Sequence, residues 1–261
     1  MEKMNDRKPK VTAGSQTVDR ALSLLSCFSP ARTSLPLHEL SQLSGLTTST
    51  THRLLKTLES REFITFDSVS KLYSLGSATV RLASIVIQSS DIQTMVSPWL
   101  DHLRLLTGET AALHWLVEYH RVCVLEFESR HPIRMSSGTG AQYPLIRGAA
   151  GKALLAHFDP MVAEAVFSEA ERIDAVSDLK WETLREELTA IREQGYATSY
   201  SEVVNGANAI SAALLDSLGQ PIAALNITGP DNRLDLKSLK RAITPLLEAV
   251  NDVRLRLGYS N

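Results

Sequence analysis

The sequence predicts an α+β fold in two parts. The N-terminal quarter reads as helices closed by a hairpin, and the longer remainder as hairpin-linked strands mixed with helices. Three observations predict it. Apolar residues recur at three-to-four spacing along the first stretch, and beyond residue 90 the pattern changes to hairpin-linked strand-like runs mixed with helices. Glycine, proline and hydroxyl residues fall between these periodic runs, where turns and caps need them. Charge divides the same way: residues 1–75 carry ten Lys/Arg against seven Asp/Glu, a net of +3, and the rest of the chain is net −5. A basic front on an acidic body is a local charge arrangement of the kind that phosphate contact uses.

Residues 1–14 are charged, contain Pro9 and Gly14, and read as a flexible arm. A helix follows over 16–28, with Val18, Ala21, Leu22, Leu24, Leu25 and Phe28 inward and Ser15 as its N-cap. Pro30 and the Ser34-Leu35-Pro36 segment end it. A short helix over 37–44 turns Leu40 and Leu43 inward and stops at Gly45. The third helix opens at Thr47, an N-cap residue type, and runs to about residue 60. Leu54, Leu55, Leu58 and the methyl of Thr51 share one side; Ser49, His52, Arg53 and Lys56 share the other. Strand-like runs over 63–66 and 71–75 flank the turn-rich Asp67-Ser68-Val69-Ser70. Helix, short helix, helix and hairpin in about 60 residues is the order of a winged helix-turn-helix, here 15–76.

An apolar linker helix over 77–90 leads to the second domain, 91–261. It begins with a helix over 91–107 that closes at Gly108. Strands are expected near 111–117, 122–128 and 133–137. The segment 148–158 reads as a loop entering a helix, and 179–193 as an amphipathic helix ended by Gly195. Strands near 196–199, 210–215 and 222–227, with a turn at 216–219, complete a sheet, and a helix over 237–257 ends the domain. Hairpin connections make that sheet antiparallel, with helices packed on it.

The composition, 44% hydrophobic and 21% charged, is that of a globular protein. No apolar run reaches the roughly 18 residues of a membrane span, and the N-terminus lacks an apolar signal core. The two cysteines, Cys27 and Cys123, form no metal-type pair, and a reducing cytoplasm is the natural location. No catalytic residue or cofactor is expected: there is no nucleophile elbow, zinc-protease helix or P-loop, and Gly138-Thr-Gly140 is too short for a dinucleotide fingerprint. His114, His120 and His131 share a region without zinc spacing, so no metal is expected either.

The third helix is the candidate for DNA reading. The major groove admits one helix, whose first residues reach base edges. Thr48, Ser49 and Thr50 carry hydroxyls there, and His52, Arg53 and Lys56 carry longer reach. Such a face is by itself equally the solvated side of a surface helix. The short helix before it and the hairpin after it favour double-stranded DNA.

Motifs in the first half are S-Q-T-V-D-R-A-L at 15–22, S-T-T-H-R-L-L-K-T-L-E at 49–59 and K-L-Y-S-L-G at 71–76. In the second half they are E-T-A-A-L at 109–113, G-K-A-L-L-A at 151–156, E-Q-G-Y-A at 193–197 and I-T-G-P at 227–230. Through these the chain resembles the IclR family of regulators. The resemblance implies a homodimer or dimer of dimers on a pseudo-palindromic operator, and a GAF-like effector-binding domain. Arg20 and Lys71, inside the matched motifs, join the DNA-binding set. Thr48 stands where the family often has lysine, and Glu62 where a glycine usually precedes the wing.

The same resemblance implies an effector pocket. Ala149 and Ala150 match positions whose backbone amides hold an effector's carboxylate, and Ser199, Ala209, Asn226 and Thr228 match lining positions. The segment Gly148-Ala-Ala-Gly151 by itself reads either as an anion-holding helix start or as a place for tight packing. Asn226 and Thr228, two apart on one strand, face the same side. Ser199 and Ala209 replace the family's frequent acid and cysteine, which predicts a less polar, roomier pocket for an organic or aromatic acid rather than a very small oxo-acid. Trp115 and Met135 are candidates for its wall or for the core. Besides an effector-responsive regulator, two classes stay open: an enzyme acting on a small acid in the same pocket, and a DNA-binding dimer that senses no ligand.

Overall fold

Leucines set the N-terminal unit. Helices α1 (Gln16–Leu25), α2 (Leu37–Ser44) and α3 (Thr48–Ser60) bury Leu24, Leu40, Leu54 and Leu55 against one another. Each such side chain is worth about 1.5–3 kcal/mol on burial. Strands β1 (Ser34–Pro36), β2 (Ile64–Phe66) and β3 (Leu72–Leu75) form an antiparallel sheet in the order β1-β3-β2 and close the core with Leu35, Ile64 and Tyr73. Helix α4 (Ser77–Gln88) follows. This computed structural model describes residues 15–29, 32–88, 91–172 and 179–258; the expected arm over 1–14, and Pro30, lie outside the described residues.

Local chemistry explains the boundaries. Thr47 Oγ1 accepts from the Thr50 amide and starts α3, while Gly45 at φ +67° ends α2. Asp67 accepts from the Val69 amide and the Ser70 hydroxyl, which makes the β2–β3 turn. Several expectations are corrected. Helix α1 ends at Leu25 rather than 28, and Ser15 sits at its N-cap without a side-chain bond. The Ser34-Leu35-Pro36 segment is strand β1, too short for its period to show, with Leu35 opposite Tyr73. Val18, Leu22 and Leu43 are exposed within this unit, because its core is too small to cover every apolar position of α1 and α2.

The second unit, divided from the first at residue 89/90, is a single antiparallel sheet with helices on both faces. It contains α5 (Asp91–Thr107), β4 (Thr110–Val117), β5 (His120–Phe127), β6 (Gln142–Pro144), α6 (Ala149–Leu155), α7 (Pro160–Arg172) and α8 (Trp181–Gln194). Then come β7 (Ala197–Tyr200), β8 (Ala207–Leu215), β9 (Pro221–Pro230) and α9 (Leu236–Arg256). The strand order is β6-β5-β4-β9-β8-β7. Alternation sorts the side chains into two layers. Leu113, Ile210, Leu225 and Ile227 pack under α5 and α9 with Leu100, Leu103 and Leu246. Ala197 and Ala224 face α6, α7 and α8 with Leu154, Phe167 and Leu188.

The expected strand over 133–137 is absent, and β6 is the third strand of that edge. Backbone groups of 133–138 are taken by side chains instead of a ladder: the Ser137 and Gly138 amides donate to the Glu126 carboxylate, and the Met135 carbonyl accepts from Thr110 Oγ1. Helix α7 is an element that the apolar pattern did not reveal. The fold class itself, a winged helix-turn-helix followed by an α+β domain with a helix-flanked antiparallel sheet, is the one the sequence predicts.

Candidate functional site

Helix α3 presents Thr48, Ser49, His52, Arg53 and Lys56 outward, because Thr51, Leu54 and Leu55 hold its other side in the core. His52 and Arg53 make no side-chain hydrogen bond among the described residues, which leaves their donors available. Thr50 is half-buried, and its hydroxyl accepts from Thr47 Oγ1 within the cap. Lys56 Nζ lies 2.8 Å from Glu59 Oε2 and 5.7 Å from the centre of the Phe66 ring. Lys71, at φ +61°, brings its ammonium to 6.0 Å from the same ring, so the hairpin and α3 share one basic corner. Arg20 is half-buried on α1. Glu62, in the family's glycine position, adopts φ +61°, a conformation in which glycine meets least strain; its carboxylate pairs with Arg81 at 2.8 Å.

In the second unit one cavity of about 70 Å³ is lined by Ala149, Ala150, Ser199, Ala209, Asn226 and Thr228 together. Sheet register explains the grouping: Ala209 pairs with both Ser199 and Thr228 across β7-β8-β9, and Asn226 lies two residues before Thr228 on the same face. Helix α6 sits over this face and contributes the alanines. Ser199 and Asn226 are 4% and 5% exposed, yet neither side chain makes a hydrogen bond among the described residues. Buried polar groups normally find partners, so this is an unusual concentration of unused hydrogen-bonding capacity.

Several lining residues were not anticipated, Arg121, Val203 and Val204 among them. Arg121 on β5 is 5% exposed; its Nη1 is 3.1 Å from His114 Nδ1 and its guanidinium lies 4.5 Å from the Tyr143 ring centre. Burial pushes the Arg121 pKa down to about 10, and burial followed by the Arg121 charge pushes His114 well below its usual range. The imidazole is therefore neutral, accepting at Nδ1, with Nε2 3.4 Å from Ser137 Oγ. The available signal was strand alternation: Arg121 occupies the inward phase with Cys123, where a charge is rare. Val203 and Val204, from the loop after β7, also line the cavity.

Those valines correct the expectation of a roomy pocket. Space vacated at Ser199 and Ala209 is met by the 201–206 loop, and Val203 Cγ2 would lie 2.7 Å from a Cβ placed on Gly148. The loop is held by Glu202, which accepts from the Gly148 amide at 3.0 Å and from Lys152 Nζ at 2.5 Å. Met135 lines the cavity, whereas Trp115 packs against the α5–α9 core on the opposite face. In Gly148-Ala-Ala-Gly151, both readings apply to different residues: Gly148 takes φ +76° and the alanines meet the cavity, while Gly151 lies against the Leu145 backbone. Among the described residues no group of three His, Cys, Asp or Glu side chains is arranged to hold a metal, and no helix is long and apolar enough to cross a membrane.

Residues 84–255 match the bacterial transcriptional regulator IclR C-terminal family, and residues 17–68 match the IclR helix-turn-helix domain. The HTH-type transcriptional repressor AllR of Salmonella paratyphi A is 30% identical over 229 residues, covering 87% of this chain and 84% of AllR. An IclR transcriptional regulator from Alicyclobacillus acidocaldarius superposes with a TM-score of 0.82 at 22% identity, over 95% of this chain and 99% of that one. An IclR homologue from Microbacterium hydrocarbonoxydans, solved in complex with 4-hydroxybenzoate, superposes with a TM-score of 0.77 at 20% identity, over 94% of this chain and all of that one. The chain belongs to the IclR family of DNA-binding transcriptional regulators, which are not enzymes.

Proposed function

We propose that this regulator binds a pseudo-palindromic double-stranded operator as a homodimer or dimer of dimers in the cytoplasm, acts as a repressor, and is controlled by a small carboxylic acid held in the cavity of the second unit. The DNA-reading set is Thr48, Ser49, Thr50, His52, Arg53 and Lys56 on α3, with Lys71 from the wing and Arg20 from α1 as backbone contacts. The effector set is Ala149, Ala150, Ser199, Ala209, Asn226 and Thr228. The single observation that carries the effector reading is the pair of buried, unpartnered polar side chains, Ser199 and Asn226, in a cavity that all six positions line.

A compact acid fits the 70 Å³ present. An aromatic acid of the 4-hydroxybenzoate kind, bound by the Microbacterium relative, needs Val203 and Val204 to move outward. Control then works through preference: the acid must bind one spacing of the paired winged helices better than another, with the linker helix passing on the difference. Fluorescence anisotropy of labelled operator, titrated with protein in the presence of a panel of compact and aromatic acids, tests this. At least one acid should change operator affinity severalfold. Unchanged affinity across the panel would mean that the protein senses none of these acids.

A further inference from the structure

Arg121 is a buried cation without a counter-ion. No ion pair joins it to a carboxylate among the described residues, although acids are close by in sequence and space. Glu126 is engaged by Ser136 Oγ and the Ser137 and Gly138 amides, and Glu202 by Lys152 and the Gly148 amide. Burying a guanidinium alone costs several kcal/mol, far more than its stacking on a tyrosine returns. With a pKa of about 10 it remains charged at neutral pH. Three parts of the group can be accounted for separately. Nη1 is taken by the neutral His114, the Tyr143 ring covers the guanidinium, and Nε is sealed from solvent with no partner. Nη2 makes no hydrogen bond among the described residues and would lie 3.3 Å from a Cβ on Gly148, at the start of α6.

The donor left open is thus Nη2, and it lies in the cavity wall beside the residue preceding Ala149, while Nε is sealed behind it. We infer that Arg121 takes the ligand's carboxylate through Nη2, and that this residue restricts the cavity to acids. A hydrogen bond between a charged donor and a carboxylate is roughly twice as strong as one to a neutral amide oxygen. His114 and Tyr143 act as positioning residues: they fix the guanidinium so that Nη2 faces the ligand. The inference rests on the reading of the cavity as an acid site and assigns the group that makes it one.

The test uses full-length protein, R121M and R121K, with 4-hydroxybenzoate and pyruvate each compared with its neutral amide, by thermal shift and calorimetry. The wild type should bind at least one acid and bind the matching amide at least about tenfold more weakly. R121M should lose about 10- to 100-fold in acid affinity, the weight of a charged hydrogen-bonded pair. Its ligand-free melting temperature should hold or rise, since an uncompensated buried charge has been replaced by an apolar chain. Acid binding unchanged in R121M, or amides bound as well as acids, would overturn the inference while leaving a ligand site standing. If no acid in the set binds wild type, the choice of effector class fails and the ligand-free melting temperatures decide: a lower value for R121M makes Arg121 structural and overturns the inference, a higher value supports it. If R121M does not fold, R121K decides by the same acid–amide comparison, since it keeps the charge and loses the guanidinium that His114 and Tyr143 position.

Discussion

Replacing Gly151 by alanine should destabilise the second unit, against the ordinary rule for helices. In a helix interior, glycine to alanine gains about 1 kcal/mol from backbone entropy and propensity. Gly151 is in the first turn of α6, and a Cβ there would lie 2.5 Å from the Leu145 carbonyl oxygen and 2.9 Å from its carbon. Side-chain carbons do not approach backbone so closely, so α6 or the Leu145 segment must shift by several tenths of an ångström. Neither has room: Leu145, Leu154 and Leu155 are fully buried on the same layer. Overpacking costs about 1–3 kcal/mol, and a 2.5 Å approach to backbone belongs in the upper part of that range, about 2–3 kcal/mol, which exceeds the helical gain and leaves a net loss of about 1–2 kcal/mol. At about 2–4 °C per kcal/mol for a unit of this size, the calorimetric transition should fall by roughly 2–8 °C. A melting temperature equal to or above wild type would refute the claim that contact with Leu145 dictates this glycine.

Three further outcomes are expected. Arg53→Ala should weaken operator binding by about 1–3 kcal/mol in anisotropy titrations without moving the melting curve; unchanged affinity would show that α3 does not read bases through this face. Lys152→Met should lower stability by about 2 kcal/mol in urea titrations, because Lys152 is 3% exposed between Glu187 and Glu202 at 2.5 Å each; the carboxylates are partly exposed, which keeps the loss below that of a fully buried pair. Acidification should destabilise the protein from about pH 6.5 downward. His114 and His157, depressed chiefly by burial and then by neighbouring arginines, stay neutral in the native state while the unfolded chain takes up protons. Their stabilisation is complete above pH 6.5 and is lost toward their lower folded values, at up to about 1.4 kcal/mol per pH unit for each. His114→Gln should flatten this slope in melts between pH 7.5 and 5.5, and an unaltered slope would show that His114 is not the group responsible.

The frame of the fold was legible wherever a periodic run was long and its cap chemistry local, as in α3, α5, α8 and α9. What escaped was decided by tertiary contact. Strand β1 is three residues long and exists because Leu35 meets Tyr73, a pairing across about 40 residues that no local pattern carries. The segment 133–138 has strand-like composition, but Glu126 and Thr110 compete for its backbone groups and win. At the cavity, the six positions taken from family resemblance lie together because strand register and the start of α6 bring them there. Strand alternation places Arg121 inward with Cys123, but that it has no counter-ion among the described residues is visible only once its neighbours are known. Room was misjudged for the same reason: small residues at 199 and 209 imply space only until the loop that fills it is in place.

The cavity also holds a physical reason for a ligand to select between states. Glu202 already supplies a carboxylate to the Gly148 amide at the start of α6 and ties the 201–206 loop to Lys152. Ser199, Asn226 and Arg121 Nη2, by contrast, have no hydrogen-bond partner among the described residues. One carboxylate is thus clamped at the rim, and the polar groups inside are bound to no side chain described. A compact acid can satisfy the inner groups and leave the clamp intact. An acid too large for 70 Å³ must displace part of the lining, and where Val203 is displaced the neighbouring Glu202 clamp is strained with it. Only binding that differs between two arrangements can shift their populations. Under the proposed effector reading, the loop carrying Glu202, Val203 and Val204 is where size, and the resulting shift in state, would be read, whereas charge would be read at Arg121.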